Sequence, residues 1–216
     1  MLKRIKNLFR KKSEENTNEL SPGEKIDNLF EELYKDTILI HIGDDLAALN
    51  KEFCNVVSEL REEIKDECGF IIPQVHIQDN SILQENEYKI FIRGNSALNG
   101  FLIPNKEGIR DEFYDALKTI IYDKISIIFT NDIAERYLDI AQRKNGWLVW
   151  NITKVLSIPE IKIILSDLIN NGKSICDIGY VFEKIGEEIL LDGGYQDCFY
   201  KKYNPHAIAK QIAKTL

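Results

Sequence analysis

A chain of 216 residues, 44% hydrophobic and 29% charged, can bury the core of one ordinary domain or two small ones, and its balance is globular rather than disordered or collagenous. The formal charge of -7 argues against a nucleic-acid binder, whose affinity comes from neutralising phosphates. No apolar run approaches the ~20 residues of a membrane-spanning helix, and Cys54, Cys68, Cys176 and Cys198 form no C-x-x-C pair, so reduced, mostly buried thiols in a cytoplasmic protein are expected.

The charge is unevenly spread. Residues 1–12, MLKRIKNLFRKK, hold six basic side chains and no acid, which leaves the rest of the chain 22 basic against 35 acidic residues, a charge of -13. Leu2, Ile5, Leu8 and Phe9 recur at helical spacing among Lys3, Arg4, Lys6, Arg10, Lys11 and Lys12. That pattern describes a short basic amphipathic helix able to lie on an anionic membrane surface; the competing reading is a solvated basic tail. A secretory signal fits poorly, for want of an uninterrupted apolar stretch and a small-residue cleavage site. The polar SEENTNEL that follows reads as a linker, so residues 1–23 are set apart as an N-terminal segment.

Ser21-Pro22-Gly23-Glu24 carries the logic of a capping box, and Ile26, Leu29, Phe30 and Leu33 extend a helix to about Lys35. TILIHI (37–42) predicts a strand closed by Gly43-Asp44-Asp45. A second helix is expected over 46–67, with Phe53, Val56, Val57, Leu60 and Ile64 on one face and Gly69 as its C-terminal cap. Phe70 then opens a strand running through Val75 and Ile77, with Pro73 at an edge or near the start, and Asp79-Asn80 turns the chain. Tyr88, Ile90 and Ile92 alternate as in a half-buried strand. Gly94-Asn95 makes the next turn, and a last strand covers 97–103 with Gly100 as its candidate bulge.

After Pro104 the period becomes helical. Phe113, Leu117, Ile120 and Ile121 form one stripe, and Ile133, Tyr137, Leu138 and Ile140 another. A short segment with Trp147, Val149, Trp150 and Ile152 follows, its tryptophans assigned to the core ahead of a partner-binding role. Ser157-Ile158-Pro159-Glu160 caps a helix stopped by Asn171-Gly172, residues 174–177 cap the next, and Asn204-Pro205 opens the last. The fold class expected is α+β: a small mixed β-sheet subdomain with packed helices over 24–104, then an all-helical subdomain over 105–216.

Candidates for chemistry are sparse. His41 and His76 alternate with apolar residues in strands and so point away from the core, while His206 lies in the first turn of the last helix. No H-x-x-x-H, C-x-x-C, EF-hand or glycine-rich phosphate loop exists, so no metal, nucleotide or other cofactor is expected. Asp44-Asp45 and Glu62-Glu63 read as solvated charge, and Cys198 with His206 lacks the signature of a nucleophile–base pair. The residues describe a binding or scaffold protein rather than an enzyme.

Two stretches carry a resemblance. GFIIPQVHIQDNSILQENEYKIFIRG (69–94), preceded by the charged helix SELREEIKDEC, resembles the cytoplasmic part of the FHIPEP family, the export-gate proteins of flagellar and type III secretion systems; Gly69, Pro73, Asp79, Asn80, Leu83, Asn86, Tyr88 and Gly94 fall on its motif positions. VLSIPEIKIILSDLINNGKSICDIGYVFEKIGE (155–187) is similar to the family's helix-turn-helix segment, and IYDKISIIFTNDIAERYLDIAQRKN to the helices before it. The resemblance implies an α+β first subdomain joined to a helical third, with fold-specifying rather than catalytic motif residues. It implies as partners other proteins of a secretion or membrane-associated assembly, and head-to-tail self-association through those two subdomains.

The departures are equally specific. The family's transmembrane helices have no counterpart, and Pro104 to Asp111 leaves no room for its inserted second subdomain. The fourth is reduced to at most the final helix, and GDDLAAL replaces a glycine-rich run. The ring-forming half is expected to persist and the cargo-docking half to be lost, in a cytoplasmic protein peripheral to the inner face of the membrane. The alternative implied is a family-like module serving an unrelated membrane-associated assembly.

Overall fold

A four-stranded sheet and, among the described residues, eight helices make up the protein; the computed structural model describes residues 35–104, 106–190 and 202–216. The basic segment, the helix expected from Ser21 to about Lys35 except for that last residue, and the 191–201 stretch lie outside the described residues.

Strand β1 (Ile38–Ile42) buries Ile38, Ile40 and Ile42 completely, because alternate side chains share one face. A 3-10 turn (Asp44–Leu49) leads into α1 (Asn50–Cys68), so the regular helix starts later than position 46. Phe53, Val56, Val57, Leu60 and Ile64 form its buried stripe, and Gly69 caps it at φ 77 with its N–H on the Lys65 carbonyl at 2.9 Å. Strands β2 (Val75–Asp79), β3 (Glu87–Ile92) and β4 (Asn95–Phe101) complete the sheet in the order β2-β1-β3-β4. β1 runs parallel to β2, which α1 permits as the crossover, and antiparallel to β3; β3 and β4 form a hairpin.

Three strand expectations need correction. Phe70 to Pro73 is not strand: Phe70 and Ile72 are buried and the ladder begins at Val75. Pro73 has no N–H to give a ladder, and its carbonyl instead accepts from Arg61 Nη2 at 2.5 Å. The hairpin turn is Arg93-Gly94, with φ of 49 and 78, the left-handed pair a two-residue turn requires. The bulge falls at Ala97, which lies between the pairs Ile90–Leu98 and Phe91–Ser96. Gly100 serves another purpose: it stands opposite Tyr88, whose ring lies where a Cβ would project, 2.6 Å away.

Beyond β4 all regular structure among the described residues is helical: α2 (Ile109–Asp123), α3 (Ile125–Ile128), α4 (Asn131–Lys144), α5 (Gly146–Thr153), α6 (Ile158–Asn170), α7 (Ile178–Leu190) and α8 (Pro205–Ile212). Helix α6 is the hub, packing on α3, α4 and α8 with Ile161, Ile164, Leu165, Leu168 and Ile169 buried. Its start shows the capping chemistry read from sequence, the Ser157 N–H and hydroxyl both donating to Glu160 Oε2 at 2.7 Å. On α4 the buried line is Ala134, Tyr137 and Ala141; Ile133 and Leu138 are only half-buried and Ile140 is exposed, so two alanines and Tyr137 rather than the isoleucines face the core.

Sheet and helices share one core, and residues 36–216 form a single compact unit. Phe53 meets Phe113 at 4.2 Å, and Tyr88 meets Phe113 edge-on at 5.7 Å, which joins β3, α1 and α2. Phe70 stacks on Phe129 at 5.4 Å and Phe129 on Tyr137 at 5.6 Å, a second aromatic column where the 69–71 segment enters the helical part. There the Tyr137 hydroxyl donates to the Gly69 carbonyl at 2.6 Å and accepts from the Ile71 N–H at 2.9 Å.

Candidate interaction surface

Asn145 determines how α5 begins, its side chain accepting from the Leu148 N–H at 3.1 Å. Val149 and Ile152 are buried, and Leu148 sits against α7, where a Cβ on Gly186 would come within 2.6 Å of its Cδ1. The remaining positions carry Trp147 and Trp150, 64% and 55% exposed. This overturns their assignment to the core. A helix of eight residues in which Trp147, Leu148, Val149, Trp150 and Ile152 are all apolar can turn only part of its surface inward, and the branched residues take that side. Lys154 Nζ lies 2.8 Å from the Trp150 ring centroid, a cation–π contact. On α7, which packs against α5, Tyr180 is also exposed, with Lys184 Nζ 5.3 Å from its ring.

A second feature is the charged seam between α1 and α2. Arg110 pairs with Glu59, and Lys118 with Glu63 and, at 3.4 Å, with Glu67, which also accepts from the Tyr122 hydroxyl at 2.9 Å. The Tyr122 hydrogen bond, aided by Lys118, holds the Glu67 carboxyl below the usual carboxylate range. Glu63 in turn holds the Lys118 ammonium above its ordinary value, and burial pushes the Tyr122 phenol up. Opposite charges thus face each other across the seam between α1 and α2.

The motif positions gather along the arch that carries the chain from α1 through β2 into the hairpin. Asn80 organises it: its N–H donates to the Ile42 carbonyl at 2.9 Å, its Oδ1 accepts from the Ile82 N–H at 3.0 Å, and its Nδ2 lies 3.0 Å from His41 Nδ1. Asp79 ends β2 exposed opposite Ile42, Leu83 is half-buried, and the half-buried Asn86 accepts the Leu102 N–H at 3.0 Å. Tyr88 lies in the core, Gly94 in the turn, Gly69 at the cap and Pro73 before β2. Gly43 belongs to the same arch, since a Cβ there would collide with the Gln84 carbonyl.

The histidines stay apart from one another in partner, His41 on Asn80, His76 with Asp36 at 2.8 Å and His206 with Asp167 at 2.6 Å. Cys54 and Cys176 are exposed and only Cys68 of the described thiols is buried, contrary to the expectation of mostly buried cysteines. Cys198 and the basic segment from Leu2 to Lys12 lie outside the described residues. Among the described residues no group of three or more His, Cys, Asp or Glu is arranged to hold a metal, and no helix is long and apolar enough to cross a membrane.

Comparison with known proteins gives this geometry its context. The FHIPEP family model matches residues 1–113. The flagellar biosynthesis protein FlhA of Bacillus subtilis is 24% identical over 202 residues, covering 71% of this chain and 29% of the relative. FlhA of Borreliella burgdorferi is 23% identical over 201 residues, covering 70% and 29%. The chain thus spans under a third of these relatives. Among solved structures, the Chlamydia pneumoniae CdsV and CdsO complex contains a chain that superposes with a TM-score of 0.66 at 12% identity, over 83% of this chain and 69% of that one. Shigella flexneri MxiA gives 0.61 at 12% identity over 83% and 63%. The nonameric EscV cytosolic domain of a type III secretion system gives 0.61 at 14% identity over 90% and 64%. At such identities the likeness is one of fold.

Proposed function

This chain belongs to the FHIPEP family, and from that premise we propose that it is a non-enzymatic interaction protein of a protein-secretion apparatus, acting as the cytoplasmic part of an export gate acts. The observation that carries the reading is the family match over residues 1–113, joined to a fold shared with type III secretion proteins over more than four-fifths of the chain. Residues 24–104 and 105–216 correspond in this reading to the family's first and third subdomains. Trp147 and Trp150 are the anchors for a partner protein of that apparatus, since exposed tryptophans one helical turn apart supply large contact area at low entropic cost. The protein works at the inner face of the membrane, held there by residues 1–12, and contacts its own copies head to tail. The nonameric assembly of the EscV cytosolic domain supports self-association as a property of the fold.

The test is affinity capture of the full chain from its native cells beside the double variant Trp147→Ser/Trp150→Ser. Recovery of flagellar or injectisome components with the parent protein, and their loss with the variant at unchanged thermal stability, supports the reading. Recovery of an unrelated membrane-associated assembly instead would move the chain to an adapted family module outside secretion.

A further inference from the structure

The last turn of α1 and the segment entering α7 bring two thiols together from opposite halves of the protein. Cys68 closes α1, and Cys176 stands two residues before α7. The Ile175 N–H donates to the Cys68 carbonyl at 2.8 Å. A Cβ on Gly69 would lie 2.8 Å from the Cys176 Cα, so the two cysteine Cα atoms are within about 8 Å, given the fixed spacing of consecutive Cα atoms. Both sulfurs rest on the same helix turn, Cys68 Sγ 3.2 Å from the Ile64 carbonyl and Cys176 Sγ 3.5 Å from that of Lys65. One thiol is open and the other closed: Cys176 is exposed, whereas Cys68 is buried. A soluble disulfide therefore reaches Cys176 first, and Cys68 can attack only from within the protein. Cys54, fourteen residues earlier on the same helix, is ~21 Å away along the axis and cannot compete.

We propose that Cys68 and Cys176 are a redox pair that a low-molecular-weight disulfide converts to an intramolecular disulfide, locking the sheet part to the helical part. The Cys176 thiolate attacks one sulfur of R–S–S–R, forming a mixed disulfide and expelling R–S⁻. Cys68 then attacks Cys176 Sγ, the mixed bond breaks and a second R–S⁻ leaves. The two thiol protons end on the leaving groups, so the protein loses two electrons and two protons and R–S–S–R becomes two R–SH. The bond closes at the joint that Tyr137, Gly69 and Ile71 already hold, so it fixes an existing arrangement. The inference is independent of the proposed secretion role.

The experiment treats the full-length protein with oxidised glutathione, followed by peptide mapping under non-reducing conditions and thermal denaturation. The expected result is a peptide linking Cys68 to Cys176, two hydrogens lighter than its reduced parts and opened by dithiothreitol. Closure of so long a loop should raise Tm by roughly 5–10 °C. The double variant Cys54→Ser/Cys198→Ser should behave as the parent, and Cys176→Ser, at an exposed position, should show neither the linkage nor the shift. A stable glutathione adduct at Cys176 with Cys68 still open to alkylation, or pairing through Cys54 or Cys198, would overturn the pair. A closed bond with unchanged Tm would overturn the lock.

Discussion

Replacing Tyr137 with phenylalanine tests the joint between sheet and helices. The side chain is 6% exposed and its ring stacks on Phe129, so Tyr137→Phe keeps the packing and removes one oxygen. That oxygen holds the Gly69 carbonyl at 2.6 Å and the Ile71 N–H at 2.9 Å. A buried polar group left without a partner costs about 1–3 kcal/mol. Ile71 is 56% exposed, so water can replace part of what its N–H loses, and the net cost should be about 2–3 kcal/mol. In a chain of this length that lowers Tm by roughly 4–12 °C. Urea titration should show the midpoint fall with an unchanged m-value, since no additional surface is exposed. The pH arm has a defined sign. Burial pushes the Tyr137 phenol up to about 12, above the ordinary ~10, so on raising the pH the unfolded chain loses this proton first. Its contribution is complete below pH ~10 and declines as the pH rises towards 12, by about 3 kcal/mol at 1.4 kcal/mol per unit. The parent should lose that increment of stability in alkali and the variant should not. A midpoint change worth under ~0.5 kcal/mol, with parallel alkaline profiles, would refute the assignment of Tyr137 as the tie across the joint.

Gly69→Ala should be more damaging, by about 2–4 kcal/mol in the same titration, because φ 77 disfavours a side chain and the new Cβ meets the Cys176 backbone at 2.6 Å. Glu67 has a depressed ionisation, so its contribution is present above the ordinary carboxylate value of ~4.3 and fades as the pH falls through the lower folded value; Glu67→Gln should flatten that part of the acid limb of a stability–pH profile. Residues 1–12 should bind anionic vesicles at low salt and release as salt rises, and Leu8→Ser/Phe9→Ser should weaken sedimentation with the vesicles. Light scattering should show a monomer at micromolar concentration, with crosslinks between sheet and helical parts of neighbouring chains appearing only on vesicles; a two-fold dimer at every dilution would exclude head-to-tail contact.

Which of these features the sequence disclosed follows from how local their causes are. Period-two alternation in TILIHI and EYKIFI located β1 and β3, and the Gly69 cap and Ser157/Glu160 box marked helix ends, because each is decided within a few residues. The misplacements are tertiary. Phe70 and Ile72 look like strand residues but are buried in the core, Phe70 against Phe129, and the backbone groups beside them, the Gly69 carbonyl and the Ile71 N–H, bond to the Tyr137 hydroxyl in place of a ladder. The bulge settled on Ala97 rather than Gly100 because Gly100 is needed as bare backbone under the Tyr88 ring.

The same distinction explains why the motif was legible while the candidate surface was not. Gly69, Asn80, Tyr88 and Gly94 sit where the backbone or a close contact admits few residue types, so they stand out in one sequence. Trp147 and Trp150 are under no such constraint. In GWLVWNIT the apolar residues cover more than one face, so their spacing alone does not say which side turns inward. In the fold Val149 and Ile152 are buried and Leu148 lies against Gly186 of α7, a partner that nothing in the local sequence marks. A Cβ at position 186 would lie 2.6 Å from the end of the Leu148 side chain, which must shift to admit it, so Gly186→Val should alter the iodide quenching of the neighbouring tryptophans, and unchanged quenching would show that Leu148 yields without disturbing α5.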